Sequence, residues 1–170
     1  MKRLILLAVV VALAIPIHAQ NGPIPVQLNM TLNKKKKQVS SGYGNAAEYF
    51  INSSLHIAVN NVSARPLTGV KVRWGMVQHS SYSSKQMATY GAEETLDIPP
   101  LKEKIIETQP IETRGTEYEF LGKRGESIMA YGAQVLIDGK VVAQKIVPAN
   151  YNIDFDKLTS VEAESRSKRR

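Results

Sequence analysis

The sequence predicts an all-β fold, a two-sheet antiparallel sandwich of about seven strands, and three observations carry that expectation. The first is Ser127 to Pro148, where Asp138-Gly139 stands between two apolar-rich runs. A two-residue type I′ turn needs positive φ at both central positions, which Asp and Gly tolerate, so Ile137 and Lys140 should pair across a tight hairpin. The second is period-two alternation, sharpest in Val70, Val72, Trp74 and Met76 against Lys71, Arg73 and Gly75. The third is spacing: turn signals recur about every 8–12 residues, and helical periodicity is lacking until the last twenty or so positions.

Each element follows in order. Residues 1–19 have a basic start, an apolar run from Leu4 to Ile15, Pro16 as a helix breaker and small Ala19. This is the anatomy of a secretory signal peptide, expected to be cut between Ala19 and Gln20. The run is shorter than the ~20 residues that span a bilayer, so no transmembrane segment is expected after its removal. Residues 20–150 then form the sandwich domain and 151–170 a tail. Val26, Leu28, Met30 and Leu32 alternate with polar residues as a half-buried strand. Lys34, Lys35, Lys36 and Lys37 are expected to end it, because four adjacent like charges repel, and to open a solvated loop reaching Gly44.

Leu55, Ile57 and Val59 mark a second strand, and the Val70–Met76 run a third. Trp74, the lone tryptophan, is expected to be the largest residue of the core. Met87 to Ile98 reads as an edge or bulged strand because of Gly91 and Glu93-Glu94. Pro99-Pro100-Leu101 is a stiff corner. Lys104 to Thr113 reads as one strand with Pro110 at an edge position, and Tyr118 to Leu121 as a short one. Before the Asp-Gly turn both faces are apolar, which places that strand centrally in its sheet. Phe155, Leu158 and Val161 have the spacing of a short helix, followed by a disordered basic tail from Ser165 to Arg170.

Charge and composition narrow the function. The 22 basic and 15 acidic residues give a net charge of +7. Setting aside Lys2 and Arg3, the lysine run and the four basic residues of the tail leaves twelve basic residues against fifteen acidic ones. The body is mildly acidic, so a nucleic-acid groove is disfavoured and no nucleic-acid partner is expected. The absence of cysteine removes disulfides, thiolate metal sites, cysteine nucleophiles and a lipidated N-terminus.

The run Leu55 to Trp74, with its Asn and Ser near a turn, Pro66-Leu67 and a Val-x-Val strand, resembles the second and third strands of bacterial extracytoplasmic immunoglobulin-like or fibronectin-like modules. Leu96-Asp-Ile-Pro-Pro-Leu101 is similar to the corner such modules place before their next strand, and the Asp-Gly hairpin to their last two strands. The resemblance covers about 100 residues and implies an immunoglobulin-like sandwich with an adhesive or scaffolding role. It carries no functional residue over. The loop from Gln38 to Asn45 and the excursion from Glu112 to Glu126 exceed what a minimal module needs.

Catalytic chemistry finds little to stand on. Glu93, Glu94, Glu117 and Glu119 are candidates for an acid pair only by being acidic, although Glu117 and Glu119 would share one strand face. His79-Ser80-Ser81 lacks a nucleophile elbow, Gly122-Lys-Arg-Gly125 is too poor in glycine for a phosphate loop, and two distant histidines make a poor zinc site. Asp154 and Asp156 lack the further ligands calcium needs. Asn29, Asn52 and Asn61 head chance matches to the glycosylation pattern. No catalytic residue, metal or cofactor is therefore expected.

The expected function is an exported, periplasmic or cell-surface binding or structural module. Its contact surface would be Tyr43 and Tyr82, in Gly/Ser-rich loops, together with Lys34, Lys35, Lys36 and Lys37. Its partner would be another envelope protein or an anionic cell-surface polymer. The alternatives are a subunit of a cell-envelope assembly or secretion system and a small carbohydrate-active enzyme.

Overall fold

The computed structural model describes residues 26–41, 46–81, 86–118 and 122–160, and all of its regular structure is β. The leader, the 42–45 segment with Tyr43, the 82–85 segment with Tyr82, and the basic tail lie outside the described residues. Eight strands follow one another, where about seven were expected: β1 (Val26–Ser41), β2 (Ala46–Asn61), β3 (Leu67–Ser80), β4 (Gln86–Ile98), β5 (Glu103–Glu107), β6 (Ile111–Tyr118), β7 (Gly122–Ile137) and β8 (Lys140–Val147). They pair antiparallel in the order β1-β2-β6-β7-β3-β4, with β5 also on β2 and β8 also on β7. No helix among the described residues is long and apolar enough to cross a membrane.

Two long strands join the ladders. β2 pairs along one side with β1 and along the other first with β6, then with β5. The run expected as one strand from Lys104 to Thr113 is thus two, because Pro110 has no N–H to give. Thr108 spans the break: its Oγ1 accepts from Leu55 N at 2.8 Å and its own N–H donates to Leu55 O at 3.0 Å. β7 pairs with β6 over Gly122–Gly125, then continues between β3 and β8. The register of β7 on β3 slips by one residue between Ala130 and Ile128, and the extra residue, Met129, is exposed. That bulge turns Ile128 back toward the core and lets one strand serve both ladders.

The Asp-Gly hairpin forms as its chemistry requires. Asp138 has φ 51°, Gly139 has φ 75°, and Ile137 pairs with Lys140. The central placement of its first strand also holds, since β7 has a neighbour on either side.

The main core gathers Leu55, Ile57 and Val59 of β2, Val70, Val72, Trp74 and Met76 of β3, and Ala133 and Val135 of β7. Partly buried Leu28, Met30 and Leu32 of β1 cover it. Trp74 is 3% exposed, as its alternation predicted.

A second, smaller cluster lies on the other face of β3 and β7, where Val77 and Ala130 meet Ile153 and Phe155. Here the expected helix is replaced. Residues 151–160 form turns and an isolated parallel bridge from Thr159 to Tyr90 of β4. The physical reason is a row of three cross-strand glycines, Gly91, Gly75 and Gly132, on β4, β3 and β7. A Cβ on Gly75 would stand 3.1 Å from Leu158 and 3.2 Å from Ile153, and one on Gly91 2.9 Å from Leu158. The bare backbone leaves a trough that the C-terminal segment fills as a strap.

Candidate functional site

The lysine run lies within β1, which corrects the loop expected there. Lys34, Lys35, Lys36 and Lys37 pair with Ser53, Asn52, Ile51 and Phe50 of β2, and the strand ends only at Ser41. Alternation resolves the repulsion that suggested a loop, since Lys34 and Lys36 project on the face that carries Leu28 to Leu32, and Lys35 and Lys37 on the other. Successive lysines on one face are about 7 Å apart, where the high dielectric constant of water leaves a repulsion of only about 0.6 kcal/mol.

On the first face Lys36 has acquired partners. Its Nζ donates to Glu117 Oε2 of β6 at 2.9 Å and lies 4.6 Å from the centre of the Tyr49 ring. Lys123 of β7 approaches the other oxygen of Glu117 at 3.7 Å. The Lys36 hydrogen bond, then the charge of Lys123, hold the Glu117 carboxyl below the usual carboxylate range. On the opposite face Arg114 donates to both oxygens of Glu48, at 3.0 and 3.1 Å, and sits 5.7 Å from the Phe50 ring. Phe50 is also the cross-strand neighbour of Lys37. This end of the sheet therefore carries Lys34, Lys35 and Lys37 without an ion pair among the described residues, on a strand whose backbone is fixed by its ladder.

The acidic candidates are placed as follows. Glu117 is bound to two lysines, and Glu119 lies outside the described residues. Glu93 accepts from Lys71 Nζ at 2.8 Å and Arg73 Nε at 2.7 Å, which together lower its pKa, Lys71 foremost. Glu94 projects to the other side of β4, so the adjacent pair does not converge. Asp154 accepts from Lys157 at 2.9 Å and from Asp156 N at 3.1 Å, while Asp156 pairs with Arg73. Among the described residues no three His, Asp or Glu side chains gather as a metal site.

One buried site escaped the sequence reading. Asn61, fully buried, donates through Nδ2 to Arg65 O at 2.7 Å and Pro99 O at 3.1 Å. Its Oδ1 accepts from Ser63 N at 2.9 Å and Ser63 Oγ at 2.7 Å. The signal was present in Asn-x-Ser beside a turn and in the Pro-Pro corner, but their proximity was not.

No family model matches the chain, and no curated protein matches it. Among solved structures, one from a structural genomics consortium is 11% identical over 74% of this chain and 92% of its own, with a TM-score of 0.27. Another, from Akkermansia muciniphila, is 10% identical over 81% of this chain and 82% of its own, with a TM-score of 0.32.

Proposed function

We propose that this chain is an exported, non-catalytic immunoglobulin-like sandwich module of the cell envelope that uses the lysine-bearing end of β1 to hold an anionic envelope polymer or the acidic surface of another envelope protein. The observation that carries the reading is the placement of Lys34, Lys35 and Lys37, free of ion pairs among the described residues, on a strand already ordered by β2. A ligand meeting this strand need not order its backbone, a cost that a flexible lysine loop would impose on binding. The regular spacing along one face suits a polymer with repeated negative charge. Each lysine near an anionic surface contributes about 1 kcal/mol. The two-layer reading of the sheet rests on the shared core, to which both the β1-β2 and the β3-β7 ladders contribute.

The test is co-sedimentation with vesicles containing an anionic lipid, and with a soluble polyanion, at two salt concentrations. Binding is expected to weaken as salt rises and to drop about thirtyfold in a Lys35→Gln, Lys37→Gln variant. Binding indifferent to salt and to these substitutions would reject the assignment.

A further inference from the structure

β4 ends the strand order, and the strap already uses part of its open side. Thr159 N donates to Thr89 O at 2.8 Å, and Gly91 N donates to Thr159 O at 3.0 Å. Thr89 and Gly91 therefore point their main-chain groups away from β3. The pairing of β4 with β3 runs without a bulge from Ala88 to Leu96, so Glu93 and Thr95 point theirs the same way. No backbone bond among the described residues takes up those groups. The edge is a continuation of one that has accepted a parallel bridge from Thr159.

Beneath it lies a cleft of about 460 Å³, lined by Trp74, Ala92, Glu94, Glu107, Gln109 and Ser160. This is within the usual range for a ligand site, ~300–1,000 Å³. Its chemistry is one-sided. Two carboxylates line it and no cation does. Glu107 is shared with His56 Nδ1 of β2, whereas Glu94 has no partner among the described residues. Trp74 gives the cleft an apolar wall. A fitting occupant brings a basic group for Glu94 and an apolar stem. An extended peptide with a lysine or arginine supplies both and also pairs with the edge above.

We propose that the open edge of β4, from Glu93 to Asp97, docks an extended basic strand of a partner protein, which adds to the sheet and lowers a lysine or arginine side chain into the cleft beside Glu94. This site is separate from the lysine end of β1 and has the opposite charge.

The experiment titrates the full chain with a nine-residue peptide of alternating valine and lysine. It reads the emission of Trp74, the lone tryptophan, and amide exchange along β4. Expected are a saturable emission change and at least tenfold slower exchange at Glu93 and Thr95. The same peptide N-methylated at alternate amides should not bind. Glu94→Gln should weaken binding about threefold, the worth of one half-exposed ion pair. Thr95→Pro should abolish it, because it removes an edge donor and leaves the β3 ladder intact. The Lys35→Gln, Lys37→Gln variant should bind the peptide unchanged, which separates this outcome from that of the β1 assignment. An emission change without protection at Glu93 and Thr95 would mean a small ligand in the cleft and would overturn the proposal. So would equal binding of a valine-serine peptide, retention of binding by Thr95→Pro in a folded variant, or no response to the peptide at all.

Discussion

Asn61 shows how one side chain can fix a topology that its neighbours in sequence do not specify. Its amide joins the turn after β2 to the corner at Pro99, and Leu101 N closes the same junction on Ser63 O at 3.1 Å. Asn61→Ala takes the partner from the part-buried carbonyls of Arg65 and Pro99 and from the Ser63 N–H. Such orphaned groups cost about 1–3 kcal/mol each, so a loss of ~2–3 kcal/mol in urea unfolding is expected. Asn60→Ala, one residue away on the other face and only half-buried, should change stability by less than about 0.5 kcal/mol. Equal effects would show that the junction does not depend on the amide. Trp74 is the opposite case, legible from alternation alone. Trp74→Ala should cost about 3–5 kcal/mol, because the indole lies between β3 and the rest of the core. The difference between the two residues is one of reach. Apolar alternation is written within five or six residues, whereas Asn61, besides its local bond to Arg65 O, reaches Pro99 O 38 positions away.

At the scale of the element, the hairpin at Asp138-Gly139 was legible because the turn and both strands are encoded next to each other. The lysine strand was not, since the ladder that carries it is supplied by β2 and the partner of Lys36, Glu117, is brought in by β6. The strap was misread for a related reason. Phe155 and Leu158 have helical spacing, but the groove that holds the strap is made of glycines on three separate strands. The Lys36–Glu117 contact makes a pH prediction. Because the folded carboxyl titrates below its usual range, its contribution to stability is complete above the unfolded value. That contribution shrinks as pH falls and is gone once pH passes below the folded value. Following the Glu117 side chain by NMR should give a midpoint below that of an ordinary glutamate, and Lys36→Met should move it upward. An unchanged midpoint in Lys36→Met would show that Lys123 alone holds Glu117 ionised.

Across the whole molecule, burial is distributed unevenly along strands of equal length. β1 and β2 each have 16 residues, yet Leu55, Ile57 and Val59 are fully buried while Lys34 to Lys37 opposite the other end of β2 are exposed. The core lies at one end of the sheet, and the lysine end is held by backbone ladders, Tyr49 and half-exposed ion pairs. Openings that need little apolar surface to be exposed are the cheapest, so local stability should fall along β2 away from the core. Native-state hydrogen exchange should find the bonded amides of Leu55 to Val59 opening only with global unfolding, together with those of Val70 to Met76. The bonded amides of Asn52 and Phe50 should exchange through local opening, at least a hundredfold faster, although they belong to the same strand and have ladder partners on both sides. Denaturant should leave the second group's exchange nearly constant while accelerating the first, because only the first exposes the core. Uniform protection along β2 would mean that the lysine end is as firmly held as the core, and that its ion pairs and Tyr49 contribute far more than their exposure suggests.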